Sequence, residues 1–275
     1  MINISNLSFS YGRTNVFDDL TMVLEPGKIY GLLGENGVGK TTLLKIMCGL
    51  LTAQKGICTI DNQKPSHRTP EFLEEIYFLP EEISYPNIKI SEYALNRGKF
   101  YPNYDNTLFL DYLKMFETNP SKKFNTLSFG QRKKAMIAFA FATRTKYLLM
   151  DEPSNGLDIP SKSQLRKIIS LAASDNSCII ISTHQVRDLE NIIDPIIILD
   201  KNAVLLNASI EEISNKLSFI FNESENKSAL YHEQTVGGYL TVEVNKTGIE
   251  QNINIEALFN TVISNKKVIN DLFKK

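Results

Sequence analysis

The chain has no surplus of either charge: 30 Lys and Arg stand against 31 Asp and Glu, a net charge of −1 over 275 residues. Dedicated nucleic-acid binders usually carry a clear basic excess, so no nucleic-acid partner is predicted. Cysteine is scarce. Cys48, Cys58 and Cys178 lie far apart and show no metal-ligand spacing. Their odd number fits a reducing cytosol better than a disulfide framework. Long apolar runs are missing as well. Ala135–Thr143 and Cys178–Ser182 are among the most apolar stretches, and both fall far short of the roughly 20 residues a membrane helix needs. The opening residues, MINISNLSFSYG, have neither the charged start nor the apolar stretch of a secretory signal. The predicted location is cytoplasmic, with any membrane role peripheral. Neither internal repeats nor sustained heptads are found. The composition that remains, 43% hydrophobic and 22% charged, is that of an ordinary globular protein.

Short apolar segments alternate with helical ones. Leu7, Phe9 and Tyr11 share one face by alternation. Glu25-Pro26-Gly27 reads as a turn and Lys28–Leu33 as a strand. A glycine-rich loop follows, then a helix with Leu43, Ile46, Met47 and Leu50 in one stripe. Ile57–Ile60 reads as a strand closed by an Asp61-Asn62 turn. Residues 82–125 hold nine of the chain's 26 aromatics and read mainly as helices. Ala135–Ala142 is apolar on nearly every side, which predicts a buried helix. Tyr147–Met150, Cys178–Ser182 and Ile196–Leu199 read as strands, with a helix over Pro160–Ala173 between the first two. This order predicts an α/β sheet covered on both faces. Beyond about Leu205 the texture changes. Leu240, Val242 and Val244 alternate with Thr241, Glu243 and Asn245 as a half-buried strand. Leu258, Phe259, Val262 and Ile263 suit a helix.

Gly34-Glu35-Asn36-Gly37-Val38-Gly39-Lys40-Thr41 fits G-x-x-x-x-G-K-[ST] between a strand and a helix, the context this motif requires. Backbone N–H groups from Gly34 through Thr42 would cradle phosphate oxygens at a positive helix end. Lys40 offers a point charge to the outer phosphates and Thr41 a hydroxyl to Mg²⁺. Asp151 and Glu152 end an apolar strand. A carboxylate there is placed to hold Mg²⁺, and its neighbour to polarise an attacking water. Taken alone, two acids at a strand end also read as solvated turn residues. Ser128 is a natural N-cap for the helix that follows. Arg132, Lys133 and Lys134 then crowd the positive end of that helix, which suits an anion; a solvated basic face is the other reading.

Leu127-Ser128-Phe129-Gly130-Gln131 resembles the LSGGQ signature of ABC-family ATPases, and it lies between the two phosphate-site motifs in that family's order. The resemblance extends from Tyr11 to His184. It makes Tyr11 the aromatic that stacks on adenine. Glu81 takes the position of the Q-loop glutamine, with Glu82 as the adjacent alternative. Ser154–Asp158 becomes the D-loop and His184 the switch histidine that reaches the γ-phosphate. Ser128, Gly130 and Gln131 become contacts to a nucleotide held by a second copy. Two positions depart from the pattern. Phe129 replaces a glycine, and Glu81 puts an anion where a neutral amide is usual.

The implied fold is a P-loop NTPase core of ABC type, an α/β architecture over residues 1–207. It carries an N-terminal antiparallel β portion and an inserted helical subdomain at about 82–135. Residues 208–275 form a small α+β appendage. The implied function is the ATP-hydrolysing subunit of an ABC transporter, most like those of bacterial ABC-2-type exporters. Glu152 and His184 would act in catalysis, with ATP and Mg²⁺ as cofactors and Thr41, Glu81 and Asp151 as metal ligands. The implied partners are an integral membrane permease and a second copy of the chain, on the inner face of the cell membrane. The alternatives are a soluble ABC-type ATPase that remodels a cytosolic target, and a P-loop nucleotide kinase, which would need no signature motif.

Overall fold

Polar and apolar residues alternate in the first strand because one of its faces is covered and the other wet. The computed structural model describes residues 1–246 and 252–274. In it, β1 (Ile2–Tyr11) pairs antiparallel with β2 (Thr14–Leu24). Leu7 and Phe9 are buried as predicted, but Tyr11, at the strand's end, is 50% exposed. It is therefore not the third inward residue of that face. The buried strand β3 (Lys28–Leu33) leads through the glycine-rich loop into α1 (Lys40–Met47). The predicted stripe runs on to Leu50, yet the helix ends before it and Leu50 is exposed. Gly49 explains the stop: its φ of 72° leaves the helix, and a Cβ there would lie 2.0 Å from the Pro65 carbonyl oxygen. β4 (Lys55–Ile60) pairs with the other edge of β1, and the Asp61-Asn62 turn after it has φ of 48° and 64°. Thr69 caps α2 (Pro70–Glu74), which precedes β5 (Ile76–Leu79).

Three helices follow: α3 (Ile90–Gly98), α4 (Asn106–Met115) and α5 (Phe129–Ala142). Every residue of α5 from Ala135 on is buried, as its all-round apolar sequence requires. Phe139 sits at the centre of an aromatic cluster, with ring centroids of Tyr93, Tyr104 and Tyr77 at 5.2, 5.6 and 5.7 Å. Such pairs add about 0.5–1.5 kcal/mol each beyond simple burial. Phe109, Tyr112, Phe116 and Phe124 are also buried. The aromatic richness of residues 82–125 is thus mainly core; Phe100 alone among its nine aromatics is largely exposed.

The chain continues through β6 (Tyr147–Asp151), α6 (Ile159–Ala172), β7 (Cys178–Thr183), β8 (Ile196–Asp200) and β9 (Ala203–Ala208). Six strands form the central sheet in the order β5-β6-β7-β3-β8-β9. All pairs are parallel except β8 with β9. One face packs on β1, β2 and α1, and the other on α5 and α6. Register aligns Leu33 with Thr183 and Asp151 with Ser182. The carboxyl ends of β3, β6 and β7 therefore open at one edge, where α/β sheets place their ligands.

The tail comprises α7 (Ile210–Lys216), β10 (Leu217–Asn222), β11 (Tyr231–Thr235), β12 (Gly238–Val244), α8 (Ile255–Ser264) and α9 (Lys266–Phe273). Its strands form an antiparallel sheet ordered β10-β12-β11. The alternation predicted for β12 fails at Thr241, which is buried. Its hydroxyl donates to the Ile220 carbonyl at 3.1 Å and accepts from Asn222 Nδ2 at 2.7 Å, so the polar group is satisfied without water. Leu258 and Val262 of α8 are buried as predicted. α8 and α9 pack on β8 and β9. Arg187 pairs with Glu256 at 2.6 Å, and Lys266 pairs with Asp200. The fold is a P-loop ATPase core with an N-terminal β-sheet, a helical subdomain and a small C-terminal mixed unit.

Candidate active site

The phosphate loop is shaped by glycines at positions no other residue fits. Gly39 has a φ of 108°, and a Cβ on it would meet the Phe17 ring and the Val16 side chain at 2.7 Å. The N-terminal sheet thus lies directly against the loop. Gly37 has a φ of 85° with open space around it. Lys40 is buried, and its Nζ donates to the carbonyls of Gly34 at 2.6 Å and Glu35 at 3.1 Å. Burial lowers its pKa, while the carboxylates of Glu152, Asp151 and Glu81 pull the value back up. The amino end of α1 and this ammonium together make a cationic cradle suited to a polyphosphate.

Three carboxylates face that cradle, Asp151 and Glu152 from the end of β6 and Glu81 from beyond β5. Asp151, at the end of β6, accepts from the Thr41 hydroxyl at 2.6 Å and from Ser182 of β7. One hydroxyl and one buried carboxylate thus meet beside the loop. Among the described residues there is no cluster of three or more His, Cys, Asp or Glu able to hold a metal ion. That donor set fits Mg²⁺, which is commonly held by one or two carboxylates together with water and substrate phosphates.

Glu152 adopts a φ of 46°, rare for a residue with a side chain. Its Oε1 accepts the His184 backbone N–H at 3.0 Å and lies 2.7 Å from His184 Nδ1. Its Oε2 is buried with no hydrogen-bond partner. A buried carboxylate oxygen without a donor is costly, and it is the one oxygen left free to act on a water. Glu81 accepts from Asn155 Nδ2 at 2.7 Å, whereas Glu82 is exposed.

The signature segment stands apart from this cluster. Ser128 and Gln131 form a reciprocal capping box at the start of α5. Ser128 is exposed and Gly130 partly so. Phe129 is the first residue of α5, so replacing a glycine there incurs no left-handed strain. Its ring covers Gly156, where a Cβ would lie 2.6 Å from it. Tyr11 also lies outside the cluster, edge-on to Phe9 at 4.9 Å.

Two residues of the site escaped the sequence reading. Ser182 is legible only through the β6–β7 register. Lys133 was read as part of a basic patch, but it is fully buried and its Nζ donates 2.6 Å to the Glu152 carbonyl. The signal was periodicity. Lys133 shares a helical face with Met136, Ile137 and Ala140, whereas Arg132 and Lys134 flank it.

A glycine-rich strand-to-helix loop facing buried carboxylates at the open edge of a parallel sheet defines a P-loop nucleoside-triphosphate hydrolase. Residues 17–155 match the ABC transporter family, and the chain belongs to it. It is an ATP-binding and ATP-hydrolysing ABC transporter subunit. Among similar proteins is the ABC transporter ATP-binding protein YtrB of Bacillus subtilis, 27% identical over 78% of this chain and 74% of its own. The lantibiotic transport ATP-binding protein SrtF of Streptococcus pyogenes is 28% identical over 81% of this chain and 96% of its own. A dimeric structure of MJ0796, a bacterial ABC transporter cassette, shares the fold. Its TM-score is 0.66 at 23% identity, covering 76% of this chain and 98% of that one.

Proposed function

We propose that this subunit powers export through a separate membrane permease, with MgATP enclosed between two copies of the chain. The observation that carries the catalytic part is the Glu152–His184 pair beside the Lys40 cradle. In this reading Lys40 holds the outer phosphates, and Tyr11 stacks on the base. Thr41, Asp151 and Glu81 hold Mg²⁺, which when bound neutralises charge on the phosphate oxygens. Glu152 takes up the proton of the attacking water through Oε2. His184 keeps Oε1 occupied and so orients the carboxylate. Ser128, Gly130 and Gln131 contact the partner copy's nucleotide, to which their exposure is suited. The name of SrtF supports a transport role, and the dimeric MJ0796 cassette supports pairing of two copies. Among the described residues no helix is long and apolar enough to cross a membrane. Residues 1–207 are proposed as the ATPase unit and 208–275 as its appendage.

The proposed docking site is a groove of about 650 Å³ between the end of α1 and the end of α3. Leu50 and Phe100 offer apolar contacts there, at 54% and 65% exposure. Arg68, Arg97 and Lys99 make its rim basic. Aromatic anchors within a polar rim are the usual anatomy of an interface. The wild-type protein is expected to fractionate with membranes and to copurify with an integral membrane protein. Leu50→Glu and Phe100→Glu should abolish both while leaving basal ATP hydrolysis within about twofold, because neither side chain supports the core. Wild-type protein recovered wholly in the soluble fraction would favour a cytosolic remodelling target.

Glu81 tests the metal assignment. Glu81→Ala is expected to raise the Mg²⁺ concentration needed for half-maximal hydrolysis and to leave metal-free nucleotide affinity nearly unchanged. An unaltered Mg²⁺ titration would remove Glu81 from the metal shell.

A further inference from the structure

Glu152 is held through its amide, its carboxylate and its carbonyl, and one of its partners comes from a different layer of the fold. Its N–H donates to the Ser182 carbonyl at 3.1 Å, and its Oε1 accepts from His184; both partners lie on β7 or just beyond it. Its carbonyl accepts the Asn155 N–H at 3.2 Å, within the turn, and the Lys133 ammonium at 2.6 Å, from α5. A left-handed backbone on a residue with a side chain persists only where the surroundings over-determine it. The first two contacts hold the amide and the carboxylate. The Asn155 bond closes the turn locally, and Lys133 ties the same carbonyl to α5.

Lys133 is an expensive way to fill space. An ammonium with no solvent exposure carries a desolvation penalty that an apolar side chain of the same length avoids. That burial lowers its pKa, and the fields of Glu81, Glu152 and Asp151 act in the opposite sense. The Phe129 ring centroid lies 6.0 Å from the Lys133 Nζ, and the edge of that ring abuts Gly156. The first turns of α5 therefore touch the loop after β6 on both sides of Ser154, and Lys134 reaches Asp158 at 3.8 Å.

We infer that Lys133 is a positioning residue for ATP hydrolysis, bracing the left-handed turn at Glu152 so that the free Oε2 points toward the phosphate cradle. The inference rests on the reading of Glu152 as the carboxylate that acts on water. Because Lys133 follows Ser128 by little more than one helical turn, the brace also joins the signature segment to the catalytic residue of the same chain. A displacement of the signature segment, which in the proposed dimer faces the other copy's nucleotide, is passed by Lys133 to the Glu152 of its own site.

The test compares full-length wild-type, Lys133→Met and Lys133→Arg proteins by steady-state ATP turnover and by recovery of MgATP-bound dimers. Misplacing a reacting group by about 1 Å costs up to about 10²-fold. Lys133→Met is therefore expected to lower kcat by about 10- to 100-fold, with KM for ATP within about twofold and MgATP-bound dimers still recovered. Lys133→Arg keeps a cationic donor and should retain more turnover than Lys133→Met. In single-turnover assays, adding Lys133→Met to Glu152→Gln should cause no further loss, since both changes remove the same function. If Lys133→Met does not fold, Lys133→Gln, a neutral donor one atom shorter, carries the same comparison. A wild-type kcat in Lys133→Met, a parallel loss of nucleotide binding, or multiplying losses in the double variant would overturn the inference. Inactive Glu152→Gln beside fully active Lys133→Met would overturn it alone. Wild-type turnover by Glu152→Gln would overturn the reading beneath it.

Discussion

Replacing Glu152 by glutamine is expected to cut ATP hydrolysis by about 10²–10⁴-fold while leaving MgATP binding intact. The substitution changes almost nothing but chemistry. The side chain keeps its length, and an amide oxygen in the place of Oε1 still accepts the His184 backbone N–H, now made at 3.0 Å. The backbone bonds of residue 152 to Ser182 and Lys133 do not involve its side chain. An amide, however, cannot take a proton from water. The other half of the former carboxylate becomes an NH₂ group that points donors where a lone pair was available. The expected loss corresponds to about 3–5 kcal/mol of transition-state stabilisation. Binding is expected to survive because Lys40, the loop amides and Asp151, to which it is assigned above, are untouched by the change. The protein should consequently accumulate as an ATP-dependent dimer, measurable by size-exclusion chromatography with and without MgATP. Turnover at the wild-type rate would remove Glu152 from the catalytic role.

The second large effect is a gain. Lys40→Ala removes the ammonium from the phosphate cradle, and Ser128→Arg places a bulky cation where the partner's nucleotide is proposed to sit. Neither change attacks the core. Ser128 is exposed, and losing its cap on α5 costs only about 1 kcal/mol. In a two-fold dimer each nucleotide draws Lys40 from one chain and Ser128 from the other, so each variant alone has two defective sites. Mixed in equal amounts with free exchange, about half of the dimers become heterodimers. Symmetry then gives every heterodimer one doubly altered site and one unaltered site. Roughly a quarter of all sites recover, and occluded MgATP should reappear on combining two proteins that occlude none. Occlusion is the better readout, since steady turnover can require both sites. Normal hydrolysis by Ser128→Arg alone would refute the shared site.

What could be read from the sequence depended on whether the information was local. The phosphate loop was legible because Gly34 through Thr41 are contiguous and their spacing carries the backbone geometry. The buried course of α5 was legible because apolar residues occupy every side of the helix. Leu50 was misplaced because a helical stripe was extended past Gly49, whose positive φ ends the helix. Thr241 was placed on the wet face because alternation cannot anticipate a hydroxyl satisfied by a neighbouring strand. Lys133 was hidden inside a run of three cations that the helix sorts onto different faces. The bonds of Asp151 to Thr41 and Ser182 needed strand order and register, which no local pattern encodes. Four of the nine aromatics of residues 82–125 pack around Phe139, which lies outside that segment, so their burial depended on a tertiary contact.

The packing of α8 and α9 against β8 and β9 has a consequence for the order in which this protein is made. β8 is hydrogen-bonded to β3, and the carbonyl oxygen of its Leu199 lies 2.8 Å from where a Cβ of Gly34 would be. The flank of the strands that back the phosphate loop is thus covered by helices the ribosome delivers later. During synthesis Ile196, Ile198 and Leu206 wait for Leu258, Val262 and Ile269 to join them in one apolar core. Until then the nascent chain presents an open hydrophobic edge, the kind of surface that general chaperones hold. The nucleotide cradle therefore gains its full support only once α8 and α9 have been made.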